Sequence, residues 1–211
     1  MAIKLIGFAQ SPTTARVVLT LNELGLPYEL EGVTDIQTIK TEDFIANKHP
    51  FGKVPVLCDD DHVVNESRAI CRYLVSKYQK DAKTALIPND VKKASLVEQY
   101  ISYESSYYDP PLLKVLYQEI FSKKRGGTTD EAVVKQSLEE LEKTLDIYDK
   151  ILVGKDYLIG EYSLADLFHI PCAHTLYTDT SHGDIFNKRP NVKRWIDNLR
   201  ERDAYKKTYA K

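Results

Sequence analysis

Three hydroxyl side chains, Ser11, Thr13 and Thr14, flank Pro12 just after the first apolar stretch of the chain, and a Glu66-Ser67 pair follows Val54-Pro55. A hydroxyl at a helix start can donate a hydrogen bond to a thiolate, whose charge the helix dipole also favours. Serine is too weak an acid to deprotonate a thiol near neutrality, so it would act as a donor. It would lower a thiol pKa from about 8.5 and raise the nucleophilic fraction. Ser11 is the candidate catalytic group, and Thr13 and Thr14 offer the same chemistry. Glu66-Ser67, at a strand-to-helix turn, offers a carboxylate, a hydroxyl and unpaired amides that suit the amine- and carboxylate-bearing end of a small peptide. A cis Val54-Pro55 bond would turn the Val54 N–H and C=O toward such a peptide. Both serines also have a structural reading. Ser-Pro is a preferred helix start, and Ser67 reads as an N-cap before Ala69 and Ile70.

The elements that must position these groups follow from periodicity. Residues 3–8 read as a buried strand, and Val17, Leu21 and Leu24 fall on one face of a helix stopped by Gly25. Residues 28–33 read as a second strand, and the polar stretch 34–47 carries a weak helical pattern. Residues 54–58 and 62–64 form two strands joined by Asp59-Asp60-Asp61, and 67–78 a helix through Ile70, Leu74 and Tyr78. The order βαβαββα gives a thioredoxin-like α/β domain over 1–80. Residues 81–89 form a linker, and 90–211 an all-α helical bundle: a helix to about 108, a break at Pro110-Pro111, then helices over 112–123, 130–153, from Ser163 and from about 192. Ser163-Leu164-Ala165-Asp166 is a capping box with Tyr162 and Leu167 as its staple, structural rather than chemical. The tyrosines at 100, 103, 107, 108 and 117 read as helix packing first, with the wall of a ligand pocket as the alternative.

Composition narrows the function classes. With 211 residues, 43% hydrophobic and 28% charged, and a net charge of -2, the chain can bury two modest cores, and nothing calls for nucleic acid or an anionic membrane. No apolar run reaches the roughly 20 residues of a spanning helix. Cys58, Cys71 and Cys172 are far apart, with no metal spacing, so no metal site or disulfide framework is indicated and a cytoplasmic setting is expected. There is no Gly-x-Ser-x-Gly hydrolase motif, and Gly126-Gly127 lacks the phosphate-loop lysine.

Together, His49-Pro50-Phe51-Gly52-Lys53-Val54-Pro55, Asn65-Glu66-Ser67-Arg68-Ala69-Ile70, Asp109-Pro110-Pro111 and the run from Ser163 to Pro171 resemble the cytosolic glutathione S-transferases, most of all the phi class found in plants and fungi. The resemblance covers nearly the whole chain. It implies glutathione as co-substrate, with its thiolate stabilised by Ser11 and attacking a hydrophobic electrophile or an organic hydroperoxide. It places the γ-glutamyl end on Glu66 and Ser67, the cysteinyl unit on Val54 and Pro55, and the glycine end near Lys40 and Lys53. Pro12, Thr13, Tyr117, Phe121 and Tyr177 match variable positions lining the electrophile pocket, and the family pairs as homodimers, with Phe51 a candidate anchor. Two positions depart from the pattern: His49 stands where Asn is usual, and Lys40-Thr41 where a His-Lys pair is frequent. A non-catalytic carrier of hydrophobic small molecules, using the same cleft, is the alternative function.

Overall fold

The computed structural model describes residues 3–81 and 85–210, so part of the linker expected at 81–89, residues 82–84, lies outside the described residues, as do residues 1, 2 and 211. Two compact units emerge, Met1–Leu86 with Asp203–Lys211, and Ile87–Arg202.

In the first unit, β1 (Ile3–Gly7), α1 (Pro12–Glu23), β2 (Tyr28–Gly32), α2 (Glu42–Asn47), β3 (Val56–Asp59), β4 (His62–Asn65) and α3 (Ser67–Tyr78) follow the expected order. The sheet runs β2-β1-β3-β4. β1 pairs parallel with β2 and antiparallel with β3, and β3 pairs antiparallel with β4. A central strand is covered on both faces and needs a continuous apolar run. β1 meets this in part, with Ile3, Leu5 and Ile6 buried and Lys4 turned to an ion pair with Glu31 of β2, whereas edge strand β2 is largely exposed. β3 begins at Val56 rather than Val54, because Pro55 has no N–H for the ladder. Asp59, at the end of β3, accepts hydrogen bonds from Tyr73, Tyr78 and Lys77 at 2.7 to 2.9 Å, tying α3 to the sheet.

The second unit is helical. The expected break at Pro110-Pro111 is absent. Instead α4 (Val91–Tyr103) runs through a π-helical turn, Glu104–Tyr108, into α5 (Asp109–Leu116), through a second, Tyr117–Phe121, into α6 (Ser122–Lys124). Prolines in the first turn of α5 sit where their missing amides are tolerated, and the wider π turn before them lets the helix continue. α7 (Glu131–Ile151), α8 (Leu164–Asp179) and α9 (Pro190–Glu201) follow. α10 (Asp203–Thr208), expected in the helical bundle, instead packs on α1 of the first unit, where Asn22 donates to Thr208 Oγ1 at 2.9 Å.

The second core closes around α8. His169 Nδ1 lies 2.7 Å from the Ala165 carbonyl and therefore carries the proton, leaving Nε2 to accept from Tyr148 Oη at 2.9 Å. Tyr108, Tyr148 and Trp195 surround that imidazole with ring centroids 4.6 to 5.3 Å away. Tyr108 and Tyr100 are packed as expected, whereas Tyr107 and Tyr117 are exposed. Asp166 reaches back to the Ser163 N–H at 3.0 Å and also accepts from the Ser163 hydroxyl, the Leu158 N–H and Trp195 Nε1. The staple residues Tyr162 and Leu167 are both buried.

Burial pushes the Asp166 carboxyl up to about 6, against the pull of its four donors. A carboxyl raised when folded binds its proton more tightly there. Its contribution to stability is therefore full below about pH 4 and falls as pH rises through 6, by about 3 kcal/mol in all. Asp166→Asn removes an acceptor oxygen and turns an NH2 toward donors. It should cost the second unit about 2–4 kcal/mol near neutrality, with a wider gap from wild type at pH 4. Denaturant unfolding followed by fluorescence of Trp195, the single tryptophan, measures both. A gap that widens with rising pH would contradict the burial argument.

Candidate active site

Ser11 occupies the N-cap of α1 in extended conformation, with φ -81° and ψ 130°, followed by Pro12 at the first helical position. Its backbone is fixed by Ser11 N–H to the Phe8 carbonyl at 3.0 Å and by Ala15 N–H to the Ser11 carbonyl at 2.9 Å. The hydroxyl makes no cap bond to the helix. It lies 2.8 Å from Thr13 Oγ1. The structural reading of Ser11 as a helix cap thus fails for the side chain, which pairs with a second hydroxyl instead. Thr14 is different. It is buried, its hydroxyl has no hydrogen-bond partner among the described residues, and a Cβ at Gly7 would come within 2.5 Å of Thr14 Oγ1. Thr14 packs against β1 and is not placed for ligand chemistry.

The second cluster sits at the start of α3. The N-cap is Glu66, not Ser67, and Glu66 adopts φ +67°, a left-handed conformation unusual for a residue with a side chain. Sparsely populated backbone of this kind persists where surroundings over-determine it, and such places gather at ligand sites. Ser67, the first helical residue, is buried, and its Oγ accepts from Arg16 Nη1 at 2.9 Å. Its role as an ordinary N-cap is therefore replaced by a bond across to α1.

Arg16 is a residue that motif reasoning passed over. It is 1% exposed, and its carbonyl accepts from Thr20 Oγ1 at 3.0 Å and from Cys71 Sγ at 3.6 Å. The signal available was a polar pair four residues apart, Arg16 and Thr20, within the otherwise apolar run from Ala15 to Leu21. Burial raises the Cys71 thiol to about 11, which leaves it inert.

The turn before β3 completes the cluster. The Val54-Pro55 bond is cis. Val56 pairs with Asn65 across the β3-β4 ladder, which sets this turn beside Glu66, and Asn65 Nδ2 donates to the Lys48 carbonyl at 3.2 Å. His49 is 2% exposed, and its Nδ1 accepts the Phe51 N–H at 3.2 Å. In the neutral imidazole the proton is then on Nε2, 3.6 Å from Glu66 Oε1. A histidine at this position thus serves both the turn and Glu66. Lys40 Nζ donates to the Gly52 carbonyl at 2.6 Å, where Gly52 has φ +55° and its missing Cβ leaves room for the Ile39 carbonyl. Lys53 is exposed.

Of the residues expected to face a second substrate, Pro12 is buried and Thr13 half-buried in the first unit. In the second unit, Tyr117 and Phe121 bound the π-helical turn, and Tyr177 carries the Arg200 guanidinium 4.1 Å from its ring centroid. An open groove of about 560 Å³ along α7, lined largely by charged side chains such as Lys135, Glu139 and Lys143, contains none of these residues.

Two family models match the chain: Glutathione S-transferase, N-terminal domain over residues 5–82, and Glutathione S-transferase, C-terminal domain over residues 107–203. Glutathione S-transferase F13 of Arabidopsis thaliana is 36% identical, covering 98% of this chain and 94% of its own. Glutathione S-transferase hmp2 of Hypomyces subiculosus is 41% identical, covering 100% and 99%. The structure of maize glutathione S-transferase I in complex with an atrazine glutathione conjugate superposes with a TM-score of 0.90 at 33% identity, covering 99% of this chain and 96% of that one. Matched from strand β1 to the end of α9, with a thioredoxin-like unit and a helical unit in the same order, the chain belongs to the glutathione S-transferase family and is of the phi type, a transferase with glutathione as co-substrate.

Proposed function

We propose that this transferase is of the serine type: Ser11 donates a hydrogen bond to the glutathione thiolate, which then attacks an electrophilic carbon of a hydrophobic substrate. The observation that carries this reading is the Ser11 hydroxyl itself. It is half-buried at the positive end of α1 and is not spent on capping that helix. The maize relative, whose structure holds a glutathione conjugate of atrazine, supports carbon electrophiles as the acceptor class. Organic hydroperoxides, which the same thiolate can attack, are the second acceptor class we propose.

Within this reading, Glu66 and Ser67 hold the γ-glutamyl end, and Val54 offers its main chain to the cysteinyl unit beside Pro55. Among the described residues no hydrogen bond uses the Val54 N–H or C=O, which leaves both open to a ligand. Lys40 and Lys53 serve the glycine carboxylate. An ammonium has three donors, so Lys40 keeps two after its bond to Gly52. Pro12 and Thr13, next to Ser11 at the start of α1, face the electrophile. The absence of a disulfide among the described cysteines accords with a cytoplasmic setting.

We also propose a homodimer. Phe51, 74% exposed at a turn pinned by His49, is a large apolar side chain presented to a second copy. Sedimentation at micromolar concentration should give twice the chain mass, and Phe51→Ala should shift the boundary toward monomer. A wild-type monomer would refute the assembly.

Ser11→Ala should leave glutathione binding nearly intact while raising the bound thiol's pKa by about 1–2 units, the worth of one hydrogen bond to a charged group. Turnover near neutrality should fall about 10- to 100-fold and partly recover as pH rises. Thr14→Ala should behave as wild type. If Ser11→Ala keeps the wild-type rate and pH profile while Thr13→Ala loses activity, the catalytic donor is Thr13. If all three variants remain active, the hydroxyl mechanism is wrong.

A further inference from the structure

The Arg16–Ser67 contact joins a buried charge to an expected glutathione ligand. Arginine offers donors only and stays protonated at any pH at which the protein is folded. Its Nη1 donates to Ser67 Oγ at 2.9 Å. A serine hydroxyl has a single proton, so with Arg16 occupying an acceptor lone pair that proton is left to be donated outward. Ser67 is also the first helical residue of α3, whose opening turn has no side-chain cap. Amides at such a start, the helix dipole and a guanidinium directly behind the hydroxyl all favour a negatively charged acceptor.

Glu66 presents the opposite chemistry one residue away. Its side chain is 71% exposed, and among the described residues His49 is the single side chain within ion-pair distance. A carboxylate so placed favours an ammonium. The two adjacent residues therefore read the two charges of an α-amino acid in a fixed sense, carboxylate on Ser67 and ammonium on Glu66.

We propose that Arg16 is a positioning residue that sets this polarity. By holding the Ser67 hydroxyl as an outward donor and placing a positive charge behind it, Arg16 makes the site selective for the free α-carboxylate of the γ-glutamyl group. Arg16 acts through Ser67 and need not touch the ligand. Its main chain is pinned for the task, with the Arg16 carbonyl accepting from Thr20 on α1 and from Cys71 on α3. The proposal rests on the reading that the γ-glutamyl end lies at Glu66 and Ser67.

The test compares glutathione with the peptide that lacks only that carboxylate, 4-aminobutanoyl-cysteinyl-glycine, by calorimetry on the full chain. Wild type should prefer glutathione by at least about tenfold, the worth of one charge-assisted bond. Arg16→Met, close in shape but uncharged, should bring the preference within about threefold by weakening glutathione alone. Its KM for glutathione should rise while kcat at saturation is kept. Equal weakening of both peptides would mark Arg16 as merely structural and overturn the proposal. If Arg16→Met does not fold, as a melting curve shows, Arg16→Lys carries the test. Its compact ammonium cannot reproduce the guanidinium fork, so the preference should fall at least about threefold. An unchanged preference in the folded lysine variant overturns the proposal. Failure of the underlying reading looks different: wild type itself would bind the two peptides alike.

Discussion

A helix begins with amide groups that its own turns cannot satisfy, and how each helix here meets that demand separates scaffold from site. Thr41 caps α2, Asp90 caps α4 and Asp130 caps α7, each accepting first-turn amides through its side chain. Asp166 reaches back to the start of α8, and Asp149, from α7, accepts the Asn191 and Val192 amides at the start of α9. Helices α1 and α3 lack such a partner, although both begin with serine or glutamate within reach. Their oxygens are directed elsewhere, Ser11 to Thr13 and Ser67 to Arg16. On the proposed reading, these two starts are the ones that the thiolate and the γ-glutamyl end of glutathione would meet.

Two of the buried carboxylates, Asp59 in the first unit and Asp166 in the second, show how much a nearby cation matters. For Asp59, burial raises the carboxyl, yet hydrogen bonds from Lys77, Tyr73 and Tyr78 outweigh it and leave it below the usual carboxylate range. Asp166 has four donors and no cation, and burial wins. Each spends its acceptors on joining elements, β3 to α3 in one case and α8 to α9 in the other. Buried polar groups of this kind cost stability unless every bond is made, so they fix one arrangement of the elements around them.

Much of this was legible from residue pattern because the signals were local. Alternation and 3.6-residue spacing located all four strands and most helices, and Val54-Pro55, Glu66-Ser67 and the box at Ser163 were recognisable as motifs. What escaped depends on partners far along the chain. Nothing near Ser67 announces that a guanidinium fifty-one positions earlier takes its hydroxyl, so a cap was the natural reading. The Pro110-Pro111 pair marks a place where helical hydrogen bonds are missing, and sequence does not distinguish a broken helix from one widened by a π turn. Thr13 and Thr14 are equivalent on paper. Only their directions on α1 separate them, one beside Ser11 and the other against Gly7.

The return of α10 to α1 bears on how the protein comes into being. The first unit is discontinuous: its last helix, Asp203–Thr208, is made after the whole of the second unit. At translation rates of about 5–20 residues per second, α1 waits on the order of ten seconds for this cover while the helical unit emerges between them. The half that carries Ser11, Glu66 and Ser67 is thus begun first and finished last. The long sequence separation of the α1-α10 contact adds loop-closure cost to its assembly. A ribosome-bound chain halted before residue 203 would display the face of α1 that the finished protein covers, Asn22 included.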